Sequence, residues 1–279
     1  MARITLGTRV GTLAVRHGRA VLETLAGEWP DHNLSVKTVP ASGAEDSQAL
    51  LAALTAERVD VAVVPLETLS LQLPEGLKLA AVGRRLDARS ALIAKGRKSL
   101  AELGVQASIG VFSARDAAFI SAVAPGAVPS VLKGSADSEL SRLATGEFDA
   151  LILPAATMLG LDLRDRINAY LEIDEFTPAP GQGALGLLVR DDDDLAFETV
   201  YAMQHRPSYD RVRAERAFAA ALADRPVGAV ATVTDDGELT LFGAVIENDA
   251  ILQASVSGEA REAEDLAREL AQDVLARGA

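Results

Sequence analysis

The chain has no cysteine among its 279 residues. That excludes disulfides, thiolate zinc sites, iron–sulfur clusters, cysteine nucleophiles and any thioether-linked group. Aromatic residues are scarce, at 4%. The core must therefore be built from Ala, Leu and Val, and an aromatic stacking platform for bases has little to draw on. Positive charge is also in short supply: 27 Lys plus Arg against 40 Asp plus Glu leave a net charge of −13. This argues against a nucleic-acid footprint and against anionic membranes, while a local basic cleft for a small anion stays possible. No apolar run reaches the ~18 residues a membrane span needs. The first residues run straight into a strand-like pattern with no signal peptide, so the expected location is the cytoplasm. What is present in quantity is apolar, at 49%, with 24% charged, the proportions of a globular protein.

Short apolar strands alternate with amphipathic helices. Strands are expected over 3–8, 34–40, 59–65, 77–83, 90–94, 108–112, 128–134, 149–154 and 184–189. Helices are expected near 11–28, 46–57, 113–124, 136–145 and 155–169. This alternation predicts an α/β fold with largely parallel sheets and ligands at the strand C-terminal ends. After about residue 205 the pattern changes to a helix near 208–223 and three strands, 229–235, 239–247 and 251–258. Asp235-Asp236-Gly237 and Asn248-Asp249 read as the hairpin turns. Ala263, Leu266, Ala267, Leu270, Ala271, Val274 and Leu275 then form one apolar helix face. The last 75 or so residues read as a small α+β domain.

Isolated motifs yield little. Gly181-Gln182-Gly183-Ala184-Leu185-Gly186 matches the dinucleotide pattern G-x-G-x-x-G, but prolines precede it and a strand follows it, the reverse of the required order. It reads as a tight crossing between domains. Asp191 to Asp194 precede a helical stretch, where acidic side chains suit the positive helix end. His17, His32 and His205 show no metal spacing, and no metal site is expected. No serine sits in a G-x-S-x-G elbow.

An ordered set of segments carries the strongest signal. It comprises Ile4–Leu13 (ITLGTRVGTL), Asp60–Val64 (DVAVV), Leu73–Leu77 (LPEGL), Arg85–Ala91 (RLDARSA), Gly110–Arg115 (GVFSAR), Gly146–Leu153 (GEFDALIL), Pro178–Gly186 (PAPGQGALG) and Ala214–Phe218 (AERAF). In order and nearly in spacing, this set resembles the hydroxymethylbilane synthase (porphobilinogen deaminase) family. The resemblance implies two periplasmic-binding-protein-like domains around a cleft plus the small C-terminal α+β domain. The expected division is 1–86 with 184–204, then 87–183, then 205–279, acting as a monomer. It also implies an activity: condensing porphobilinogen with release of ammonia, for tetrapyrrole and haem biosynthesis. That chemistry uses a dipyrromethane held by a cysteine thioether and an aspartate in an H-S-x-K-D segment. Arginines bind the acetate and propionate groups.

The chain departs from that pattern where the chemistry lies. The H-S-x-K-D segment aligns with Val64-Pro65-Leu66-Glu67-Thr68, which puts Thr68 at the aspartate. S-S-L-R-R aligns with Phe112-Ser113-Ala114-Arg115-Asp116, and R-G-N-x-x-T-R with Lys133 to Glu139. A later arginine falls at Gly160, while Arg9 is retained. The cysteine loop is about three residues shorter, running from Leu222 to Gly228. Ser42 to Asp46 replace a lysine-rich loop. Each lost arginine removes a charge-assisted contact of ~1.5–3 kcal/mol, and a lost acid–base group typically costs about 10²–10⁴ in rate.

These departures lead to a non-catalytic family member with no cofactor, since a dipyrromethane cannot be thioether-linked without cysteine. Its ligand is expected to be small and anionic or pyrrole-like, held by Arg9, Ser113, Arg115, Lys133 and Gln182. Two alternatives stand beside it. One is an active transferase that takes a carboxylate from Asp60, Glu67, Asp87 or Asp116. The other is a regulatory partner of a tetrapyrrole enzyme.

Overall fold

A computed structural model describes residues 2–40, 47–96, 99–223 and 225–278. The chain starts with β1 (Arg3–Arg9), α1 (Thr12–Glu28), β2 (Asn33–Val39), α2 (Gln48–Thr55), β3 (Val61–Pro65) and β4 (Leu77–Val82). It continues through β5 (Ser90–Ala94), β6 (Ser108–Val111), α3 (Ala114–Val123), β7 (Val128–Val131), α4 (Ala136–Thr145), β8 (Ala150–Pro154), α5 (Ala155–Gly160) and β9 (Ala169–Tyr170). Then follow β10 (Leu185–Arg190), α6 (Asp194–Tyr201), α7 (Arg206–Ala221), β11 (Val227–Val233), β12 (Glu238–Glu247), β13 (Ala250–Glu259) and α8 (Ala263–Ala276). Contacts divide the chain into two units, Met1–Leu86 with Ala184–Tyr209 and Asp87–Gly183 with Asp210–Ala279.

The first unit holds a five-stranded sheet in the order β2-β1-β3-β10-β4. β1 runs parallel to β2 and β3, while β10 is antiparallel to β3 and β4. The sheet is therefore mixed, where the alternation had suggested largely parallel strands. Its core is formed by Ile4, Leu6, Val21, Leu25, Val61, Val63, Leu187 and Val189. The helix α1 lies close on β1 because Gly18 faces Thr8: a Cβ on Gly18 would sit 2.3 Å from the Thr8 methyl. The acidic run behaves as read from sequence. Asp193 caps α6 by accepting the Ala196 amide at 2.9 Å, which satisfies one of the free donors of the first turn.

The second unit repeats the plan in the order β7-β6-β8-β5-β9. β6 runs parallel to β7 and β8, and β5 is antiparallel to β8 and β9. The same unit contains the three-stranded antiparallel sheet β11-β12-β13, covered by α8. Leu266, Ala267, Leu270, Ala271 and Val274 of α8 are buried against that sheet, as their spacing requires. Ala244 and Ile246 of β12 pack with Phe119 and Phe176. The expected helix over 155–169 is interrupted. α5 stops at Gly160, Asp162 takes a left-handed φ of 60°, and the edge strand β9 follows a 3-10 turn.

The glycine-rich segment stands where the chain passes from one unit to the other. The chain leaves the first unit after Leu86 and re-enters it at Ala184. Gly181 and Gly183 both have φ of +79°, which a side chain would strain. A Cβ on Gly183 would also lie 2.8 Å from the Asp87 carbonyl oxygen. Among the described residues no helix is long and apolar enough to cross a membrane.

Candidate functional site

In the first unit, β1 and β3 are parallel, so Arg9 and Pro65 end on one edge of the sheet. A 3-10 turn over Leu66–Thr68 follows β3 directly. Thr68 is fixed there by its own hydroxyl, which donates to the Pro65 carbonyl at 2.9 Å. The buried Ser47 hydroxyl lies 3.2 Å from it. The position is thus a neutral pair of hydroxyls. It can donate and accept hydrogen bonds, but it offers no negative charge to a developing cation. Ser42 to Asp46 lie outside the described residues.

In the second unit, the parallel strands β6, β7 and β8 bring three turns to one edge. Ser113 caps α3, accepting the Asp116 amide at 3.0 Å. Arg115 does not project into solvent, its side chain being 13% exposed. Its Nε donates to the Val227 carbonyl at 2.8 Å and its Nη1 to Asp116 Oδ1 at 2.5 Å. The guanidinium stacks over Phe119, 4.0 Å from the ring centre. Burial lowers the proton affinity of Arg115, and the adjacent Asp116 carboxylate opposes that shift.

Lys133 follows β7 and is exposed. Glu139, 2% exposed, accepts Arg142 Nη1 at 2.6 Å. Its other oxygen lies against Gly134, where a Cβ would be only 2.0 Å away. Gln182 is buried, and its amide donates to the Ala88 carbonyl at 2.7 Å and to Ser90 Oγ at 3.2 Å. The structure therefore joins Ser113 and Arg115 in one turn and sets Lys133 on the same sheet edge. It anchors Gln182 at the crossing, in contact with the chain's own backbone.

The four alternative carboxylates also separate. Asp60 precedes β3, at the opposite end from Thr68, and accepts the Thr5 amide at 2.7 Å. Asp87 is paired with Arg89 at 2.7 Å, which holds its carboxyl below the usual range, and Asp116 is paired with Arg115. Glu67 alone of the four lies in the turn beside Thr68.

Glu215 went unassigned in the sequence. It is fully buried and accepts the amides of Gly181 and Ala231, each at 2.8 Å. The signal was there: the acid stands on α7 with Val212, Ala214, Phe218 and Ala219, all of them buried.

Residues 4–198 match the family model described as porphobilinogen deaminase, dipyrromethane cofactor-binding domain. The chain belongs to the porphobilinogen deaminase family. A porphobilinogen deaminase of Thermus thermophilus is 40% identical over 100% of this chain and 97% of its own length. One from Deinococcus radiodurans is 38% identical, with the same coverage. The fold is α/β, with two five-stranded mixed sheets of one plan and a small C-terminal α+β part. Among solved structures, a TRAP periplasmic solute-binding protein of Ralstonia eutropha overlays with a TM-score of 0.49 at 13% identity, over 72% of this chain and 76% of its own. A Salmonella typhimurium periplasmic binding protein of high arginine specificity gives 0.46 at 14%, over 73% and 92%.

The family match corrects one expectation. The domain matched is a dipyrromethane-binding one, so the reading that no cofactor accompanies this chain is overturned. The missing cysteine bears on the covalent link alone. The residues at hand do not fit that link, because there is no cysteine sulfur to form it; separately, the Arg115 guanidinium is already held by Asp116 and Val227 rather than open to a carboxylate of the group.

Proposed function

We propose that this member of the porphobilinogen deaminase family does not carry out the deaminase reaction and instead holds a small pyrrole-like ligand through one anionic group at Arg9. The observation that carries this reading is the Thr68 hydroxyl, bonded to Pro65 and beside Ser47, where the family pattern places the catalytic carboxylate. A hydroxyl cannot supply the charge that stabilises a pyrrole-derived cation, and removing such a group typically costs about 10²–10⁴ in rate. The chain works as a cytoplasmic monomer in this proposal, without nucleic acid or membrane; the net charge of −13 supports the exclusion of polyanionic partners.

A second reading is an active porphobilinogen-condensing transferase. It draws support from 40% identity to a full-length relative bearing that name and from Glu67 in the turn beside Thr68. Equilibrium dialysis of the purified protein with porphobilinogen, followed by chromatography of the pyrroles, separates the two. Retention of unchanged porphobilinogen, weakened in Arg9→Ala, is the outcome expected of the binder. Linear tetrapyrrole in the eluate contradicts it.

A further inference from the structure

We propose that the α3 and α4 turns of the second sheet are closed to ligand anions by the chain's own carboxylates, Asp116 and Glu139, so that a ligand must present neutral or positively charged groups there. The inference rests on the small-ligand reading above and specifies its charge.

At the α3 turn, the Asp116 amide is satisfied by Ser113 Oγ. The Arg115 guanidinium is engaged on three sides, by Asp116, by the Val227 carbonyl and by the Phe119 ring. Its remaining Nη2 is roofed by β11: a Cβ on Gly228 would lie 2.7 Å from it. A ligand carboxylate would have to displace Asp116 or lift a strand.

At the α4 turn, Ser135 Oγ accepts the Ser138 amide at 3.3 Å. Glu139 then folds back from the helix onto Gly134 and is buried there, its second oxygen held by Arg142. A carboxylate thus already lies at the positive end of α4, where an incoming anion would find its best backbone partners. Any larger residue than glycine at position 134 would expel it. Two turns of one sheet edge carry the same arrangement, a resident acid bonded to a nearby arginine. Lys133, exposed, directly precedes Gly134 at the second of these turns.

The test is titration calorimetry with propane-1,2,3-tricarboxylate, a polyanion that cannot condense. The chain carrying Arg9→Ala, which removes the anion contact of the first unit, is expected to give no saturable heat. Adding Asp116→Asn/Glu139→Gln to it, checked by circular dichroism, is expected to raise the affinity at least about tenfold, with the gain fading as salt is raised. Glu269→Gln, an exposed acid of α8, changes the net charge without touching either turn and should gain nothing. Should the double variant fail to fold, each single variant is expected to show a partial gain. Saturable binding by the Arg9→Ala chain, a folded variant with no gain, or an equal gain from Glu269→Gln overturns the proposal. Porphobilinogen turnover by the wild type would defeat the non-catalytic reading and leave this result standing, because the probe is inert to that reaction.

Discussion

Glu215 accepts the amide of Ala231 with one carboxylate oxygen, at 2.8 Å, and uses the other for the amide of Gly181. A single buried acid on α7 thus ties the first strand of the C-terminal sheet to the glycine-rich crossing. Hydrogen bonds to a charged group contribute about 1.5–3 kcal/mol each, and a buried amide left without an acceptor costs a further ~1–3 kcal/mol. Glu215→Ala should therefore lower the unfolding free energy by about 3–5 kcal/mol. Glu215→Gln, which keeps one acceptor oxygen, should cost roughly half of that. Urea denaturation of the two variants beside the wild type provides the comparison.

Glycine positions separate close packing from open space. At Gly228 a Cβ would fall 2.6 Å from Thr177 Cβ and 2.7 Å from both Arg115 Nη2 and the Thr177 carbonyl oxygen. Gly228→Ala is expected to destabilise by about 1–3 kcal/mol through overpacking. Gly27, near the end of α1, has nothing within 4 Å of its Cβ direction. There the loss of unfolded-state entropy and the better helix propensity of alanine should stabilise by about 0.4–1 kcal/mol. Opposite shifts in melting temperature are the expected pair.

His17 gives a pH signature. Burial lowers its pKa from 6.5 to about 4. The folded state therefore disfavours the proton relative to the unfolded chain. The stability this provides is complete above pH 6.5 and is lost as pH falls toward 4. At ~1.4 kcal/mol per pKa unit the loss attributable to this residue is up to about 3 kcal/mol. Denaturation midpoints for wild type and His17→Gln should converge between pH 7 and pH 4.5 as the wild type loses that share. Parallel pH curves for the two proteins would contradict the assignment.

Much of the fold was legible in the residues because burial imposes a period. The strands at 3–8, 59–65 and 149–154 and the face from Ala263 to Leu275 stand where their patterns required. Strand direction carries no such period, so the antiparallel places of β5 and β10 could not be read. The two-residue strand β9 is too short to show alternation, and the left-handed turn at Asp162 broke a run that looked continuously helical. At the site, the residue types at Thr68, Asp116 and Glu139 were visible, while their partners were not. That Glu139 turns back onto Gly134, and that Gln182 bonds Ala88 and Ser90, are consequences of packing across distant segments.

Whether position 68 supports the family's chemistry is read from the rate of ammonia release from porphobilinogen by the purified wild-type chain. The neutral Thr68 predicts a rate equal to that of a heat-inactivated control at every protein concentration. Release that rises in proportion to protein, and that survives removal of trace contaminants by a second chromatographic step, would contradict it and assign the acid–base work to a group other than Thr68.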